Sequence, residues 1–157
     1  MIKLQRIGHI LLNVRDVEKS KAFYMKILGF ELLEQDPEHG GVFLSLGQHG
    51  NTLDLFPCSN PDEQPQPKAV PGDRRGLGVK HTAFAVATEE ELKRAYFSLQ
   101  ESGVPIHRAI DHGSQKSIYF HDPDNNLLEI VWERPDTRDI FARGRNDTDI
   151  PLQFERS

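Results

Sequence analysis

The chain repeats itself at an offset of 72 residues, the separation of His9 from His81. Ile7-Gly8-His9 falls on Val79-Lys80-His81, Val14 on Val86, Glu18 on Glu90 and Tyr24 on Tyr96. Each copy opens with a short run rich in branched apolar residues, 7–14 and 79–86, which favours a strand and includes the histidine. A capping residue follows, Asp16 in the first copy and Thr88 in the second. Both can accept hydrogen bonds from the free N–H groups of a starting helix. Ala22, Phe23, Ile27 and Leu28, and then Leu92, Ala95, Tyr96 and Leu99, recur at helical spacing. Gly29 and Gly103 stand where those helices should end.

Three strand candidates follow each helix. They are 30–34, 42–46 and 52–56 in the first copy, and 106–110, 117–121 and 127–132 in the second. Gly40-Gly41, the stretch Gly47 to Asn51, and Asp122-Pro123-Asp124-Asn125-Asn126 supply turns. The pattern is thus an α+β chain of two βαβββ modules, residues 1–57 and 79–133. The stretch 58–78 contains Pro61, Pro65, Pro67 and Pro71 and reads as a linker loop. Residues 134–157 form a C-terminal tail of mixed charge with apolar residues interspersed, expected to dock on the domain or on a second subunit.

Bulk properties narrow the function. A chain of 157 residues buries a core without disulfides or a structural metal, so a bound metal would serve chemistry. A net charge of -5 disfavours nucleic acid, whose phosphates call for basic surface. Cys58 is the only cysteine, which excludes an intrachain disulfide and suits a reducing cytoplasm. The first apolar stretch is too short and too polar for a signal peptide or a membrane span, so the expected location is cytoplasmic.

The repeat also places chemistry. A pseudo-twofold relation between the copies would bring His9 and His81 face to face. Glu129, in the last strand of the second copy, corresponds to Asp54 in the first. The spacings are 48 residues from His81 to Glu129 and 45 from His9 to Asp54. Taken singly, each is an ordinary strand residue; the joint pattern points to a metal held by His9, His81 and Glu129. Two imidazoles and a carboxylate can occupy one face of an octahedron and leave positions open for substrate, a set that suits iron(II) and manganese(II) and is compatible with zinc or nickel. Asp54 is one methylene shorter than glutamate, and its place as a fourth ligand is left open.

The segment Ile7 to Asp16, with Ser20, Phe23-Tyr24 and Leu28-Gly29-Phe30, resembles the opening module of the vicinal oxygen chelate superfamily. That superfamily holds glyoxalase I, bleomycin- and fosfomycin-resistance proteins and extradiol ring-cleaving dioxygenases. The resemblance runs over about residues 4–133. It implies paired βαβββ modules in a half-open barrel, a metal on His9, His81 and Glu129, and homodimers in many members.

Ile110-Asp111-His112, and then Ile118 to Glu129, further resembles the extradiol dioxygenase signature. By that resemblance His112 is an acid/base beside the metal and Tyr119 holds a substrate or oxygen atom. Asn125 stands where the signature has glycine or proline; asparagine tolerates the left-handed backbone better than most residues. Two departures are clear. Two-domain extradiol enzymes carry a further histidine shortly before the second ligand, and none lies between His49 and His81 here. Those enzymes also have two copies of the paired module.

The implied activity is a metal-dependent, extradiol-dioxygenase-like oxidoreductase acting on a small catecholic substrate. The alternatives are a glyoxalase-like lyase or isomerase, and a non-catalytic resistance-type protein that binds an aromatic ligand. His39, His49 and His107 are expected at the surface, and His121 at the rim of the cleft.

Overall fold

The computed structural model describes residues 1–47, 49–62, 68, 70–72, 74, 76–145 and 149–156. Gln48, Pro65 and Pro67 of the expected turn and linker, and Asp147 of the tail, lie outside the described residues. Two compact units divide the chain, residues 1–65 and 66–157.

The first unit contains β1 (Ile10–Val14), α1 (Val17–Leu28), β2 (Glu31–Gln35), β3 (Val42–Ser45) and β4 (Leu53–Pro57). Asp16 caps α1 by accepting from the Lys19 N–H, and Gly29 ends it at φ 75°. Glycine reaches that left-handed geometry without the Cβ penalty. The sheet order is β1-β4-β3-β2. β1 and β4 are parallel, whereas β3 is antiparallel to both β4 and β2. Val14, Tyr24, Phe30, Val42, Leu44, Leu53 and Leu55 are its buried apolar side chains.

The second unit repeats the order with β5 (Thr82–Val86), α2 (Glu89–Glu101), β6 (Ile106–Asp111), β7 (Gln115–His121) and β8 (Leu127–Glu133). Thr88 and Glu91 form a reciprocal cap at the start of α2. Ser102 caps its end, with Gly103 following at φ 71°. β5 and β8 are parallel, and β7 is antiparallel to β8 and β6. The two βαβββ modules expected from the repeat are therefore present, and their strands form one sheet of four strands and one of five.

The registers match as well. Leu11 faces Asp54 in the first sheet and Ala83 faces Glu129 in the second, and Leu11 and Ala83 lie 72 residues apart.

The residues after Glu133 fold further than expected. They form α3 (Thr137–Ala142) and β9 (Ile150–Pro151). β9 pairs with the edge of β6, Ile110 with Pro151 and Asp111 with Ile150. Proline is tolerated there because an edge strand has N–H groups to spare. The tail continues over α2, with Phe154 against Tyr96 at 5.1 Å between ring centroids. Arg156 donates to Glu101 at 3.0 Å. The tail thus packs on β6 and α2 within the second unit. Among the described residues no helix is long and apolar enough to cross a membrane.

Candidate active site

The two histidines of the repeat sit immediately before β1 and β5. The ladder of the first sheet begins at Ile10, whose N–H donates to the Thr52 carbonyl at 3.0 Å. His9 is therefore one residue outside the strand expected to contain it, and His81 likewise precedes Thr82. Each stands beside the carboxylate that the repeat assigns to it. His9 Nε2 lies 3.6 Å from Asp54 Oδ2, and His81 Nε2 lies 3.0 Å from Glu129 Oε2. In both pairs the carboxylate is buried and the imidazole roughly half exposed.

The pairs differ in how the carboxylate is satisfied. Asn51 Nδ2 donates to Asp54 Oδ1 at 2.7 Å, so both Asp54 oxygens have polar neighbours. Glu129 Oε1 is buried and has no hydrogen-bond partner among the described residues. A buried oxygen without a donor is costly, and such a group calls for an explanation such as an ion. Among the described residues no three His, Cys, Asp or Glu side chains are grouped closely enough to hold a metal. His81 and Glu129 nonetheless have the chemistry of ligands: an imidazole nitrogen and an anionic oxygen with coordinating capacity to spare.

His112 and Tyr119 are brought together beside that pair. Side chains alternate across a strand, so Ser117, Tyr119 and His121 share one face of β7. Tyr119 pairs directly with Glu129 on β8, and Ser117 with Val131. The Asp122 turn sets this register: Asp122 Oδ1 accepts from the Asp124 and Asn126 N–H groups, and Asn125 adopts φ 68°. At the other end of β7 the hairpin turns through Gly113 at φ 77°, with the His112 N–H donating to the Gln115 carbonyl. These two turns leave His112 Nε2 at 3.2 Å from the Tyr119 hydroxyl, both side chains being buried. The Tyr119 ring also meets His81 edge to face at 5.8 Å.

Burial, and then the negative charge of Glu129, push the Tyr119 phenol up to about 12. It therefore keeps its proton at neutral pH and donates it in a hydrogen bond.

One residue of this cluster was not singled out in the sequence. Asp149 Oδ1 lies 2.6 Å from His112 Nδ1, so both ring nitrogens of His112 are engaged. Asp149 is 37 residues further along the chain and reaches His112 because β9 pairs with β6. No local motif marks it.

Beside His112 lies a cavity of about 380 Å³ lined by Gly113, Ile140, Arg143, Gly144 and Arg145. Its size suits a small ligand, and its two guanidinium groups favour an anionic one.

Of the remaining histidines, His39, His49 and His107 are exposed and His121 is half-buried. His39 is exposed and pairs with Asp36 at 2.9 Å. His107 and His121 meet edge to face at 5.7 Å, and burial lowers the affinity of His107 for a proton.

Comparison with known proteins agrees with the fold. The Glyoxalase/Bleomycin resistance protein/Dioxygenase superfamily matches residues 6–130. Uncharacterized protein YwkD of Bacillus subtilis (strain 168) is 34% identical over 134 residues, covering 81% of this chain and 96% of that protein. Biphenyl-2,3-diol 1,2-dioxygenase 3 of Rhodococcus globerulus is 26% identical over 144 residues, covering 92% and 68%. Among solved structures, a glyoxalase/dioxygenase from Nostoc punctiforme superposes with a TM-score of 0.68 at 27% identity, over 83% of this chain and 92% of that one.

Proposed function

The chain belongs to the glyoxalase/bleomycin resistance protein/dioxygenase superfamily, and from this premise we propose that it is a metal-dependent, extradiol-dioxygenase-like enzyme acting on a small catecholic substrate. The observation that carries the reading is the buried His112–Tyr119 pair, with Tyr119 directly across the sheet from Glu129 and its unpartnered oxygen. The likeness to a biphenyl-2,3-diol dioxygenase supports it.

His81 and Glu129 would hold the metal, with His9 as the third donor that the sequence repeat supplies. A divalent ion there, iron(II) before manganese(II), would supply Lewis acidity toward the substrate's vicinal oxygens and open coordination positions. Glu129 acts as a ligand and not as a base. His112 takes a proton from a substrate hydroxyl at Nε2 and later returns it. The Tyr119 hydroxyl, protonated at neutral pH, donates a hydrogen bond to a substrate oxygen as negative charge develops on it. Arg143 and Arg145 line the cavity beside His112 and favour a substrate in its anionic form.

The test is oxygen uptake by protein reconstituted anaerobically with iron(II), screened across simple and carboxylate-bearing catechols. The expected result is oxygen consumption that tracks loss of the diol. Metal retention without any oxygen uptake overturns the dioxygenase assignment and favours glyoxalase-like isomerase or lyase chemistry. Absence of both metal and uptake favours a ligand-binding protein.

A further inference from the structure

The tail carries a residue toward the acid/base histidine. Asp149 lies outside the stretch that matches the family, residues 6–130, yet its carboxylate is 2.6 Å from His112 Nδ1. The approach is fixed by backbone pairing: Asp111 faces Ile150, and the Leu152 N–H donates to the Ala109 carbonyl at 3.0 Å. The residues on either side of the contact, His112 and Asp149, are thereby set opposite each other where β6 ends and β9 begins.

A neutral imidazole has one N–H and one lone pair, and the partner of one nitrogen decides the role of the other. A carboxylate only accepts hydrogen bonds, so Asp149 requires the proton on Nδ1. Nε2 then presents its lone pair toward the Tyr119 hydroxyl, 3.2 Å away, and accepts from it until substrate takes the place of each partner. The cluster is thus an ordered chain, carboxylate to imidazole to phenol.

We propose that Asp149 is a positioning residue that holds His112 in its Nδ1–H tautomer and so leaves Nε2 as the base. Its catalytic meaning rests on the function proposed above; the tautomer itself does not. When Nε2 takes a proton from a substrate hydroxyl, the ring becomes an imidazolium and Asp149 sits against the new positive charge. When the proton returns to the product, the ring reverts to the same tautomer.

The experiment is long-range ¹H–¹⁵N correlation of the histidine rings in the full chain, metal-free and zinc-loaded. It is run at about pH 8, above the ordinary histidine range. The expected wild-type spectrum shows His112 with its proton on Nδ1. In D149A the Nε2–H form becomes dominant, as in free imidazole side chains. F154A, which loosens the tail's contact with Tyr96 and leaves Asp149 in place, keeps the Nδ1–H form and so separates positioning from docking. Nε2–H or doubly protonated His112 in the wild type, or an unchanged spectrum in D149A, overturns the proposal.

Activity adds a second readout. D149N should lower kcat by about tenfold to a hundredfold, with KM and metal content nearly unchanged, and D149E should restore part of the loss. That is less than the ~10⁴ loss for the buried aspartate of a serine-protease triad, because the Asp149 side chain is 56% exposed. A wild type that turns over no catechol, with the tautomer held and lost as expected, refutes the proposed function and leaves the role of Asp149 standing.

Discussion

Glu129→Gln separates two demands made on one side chain. The Glu129 carboxylate is almost fully buried, and Oε1 has no hydrogen-bond partner among the described residues. Leaving a buried polar group unsatisfied costs about 1–3 kcal/mol, and more if the group is charged. The contact with His81 at 3.0 Å offsets part of that. His81 is 40% exposed, so water screens the pair and limits its worth to about 1 kcal/mol or less. Glutamine keeps the shape and removes the charge. In chelator, E129Q should therefore be more stable than the wild type by about 1 kcal/mol, which raises the unfolding midpoint of a chain of this size by about 2–4 °C.

With metal present the order should reverse. An ion that binds only the folded wild type adds about 2.7 kcal/mol at a hundred times its Kd, and the variant should gain far less. Thermal unfolding by circular dichroism, with chelator and then with added iron(II) or zinc(II), reads both arms. An E129Q variant that melts below the wild type in chelator would falsify the reasoning, because the carboxylate would then be a satisfied structural group and not a donor held in reserve.

Other consequences are simpler. Replacing His112 by alanine should slow turnover by about 10²–10⁴-fold, the range for loss of a general acid/base, while elemental analysis finds metal content unchanged. Thr88→Ala removes half of the reciprocal cap on α2 and should cost about 1 kcal/mol in urea unfolding. Asn125→Val places a β-branched residue at φ 68° and should cost about 1–2 kcal/mol in the same unfolding assay.

Much of the fold was legible because the signals were local. Asp16, Gly29 and Thr88 act at the helix ends as their chemistry requires. The Asp122 turn holds together although Asn125 replaces glycine, since asparagine accepts the left-handed backbone. The correspondence of Asp54 with Glu129 was readable from the repeat alone and reappears in the strand registers. The tail was legible only as mixed charge. A two-residue strand of Ile150 and Pro151 has no periodicity to detect, and its pairing with β6 is a long-range event. Asp149 was invisible for the same reason. Asn51 was read as part of a turn, and its hydrogen bond to Asp54, which distinguishes the two carboxylates, is a matter of geometry. The starts of β1 and β5 were set too early because Ile7 and Val79 look like strand residues, yet both are exposed and precede the hydrogen-bonded ladders.

The metal assignment is tested most directly by elemental analysis of protein purified without chelator or histidine tag and reconstituted anaerobically with iron(II), beside the His9, His81 and Glu129 alanine variants. The wild type should hold close to one ion per chain, and all three variants should lose it. A wild type that retains no metal after reconstitution, or variants that retain it fully, would contradict it.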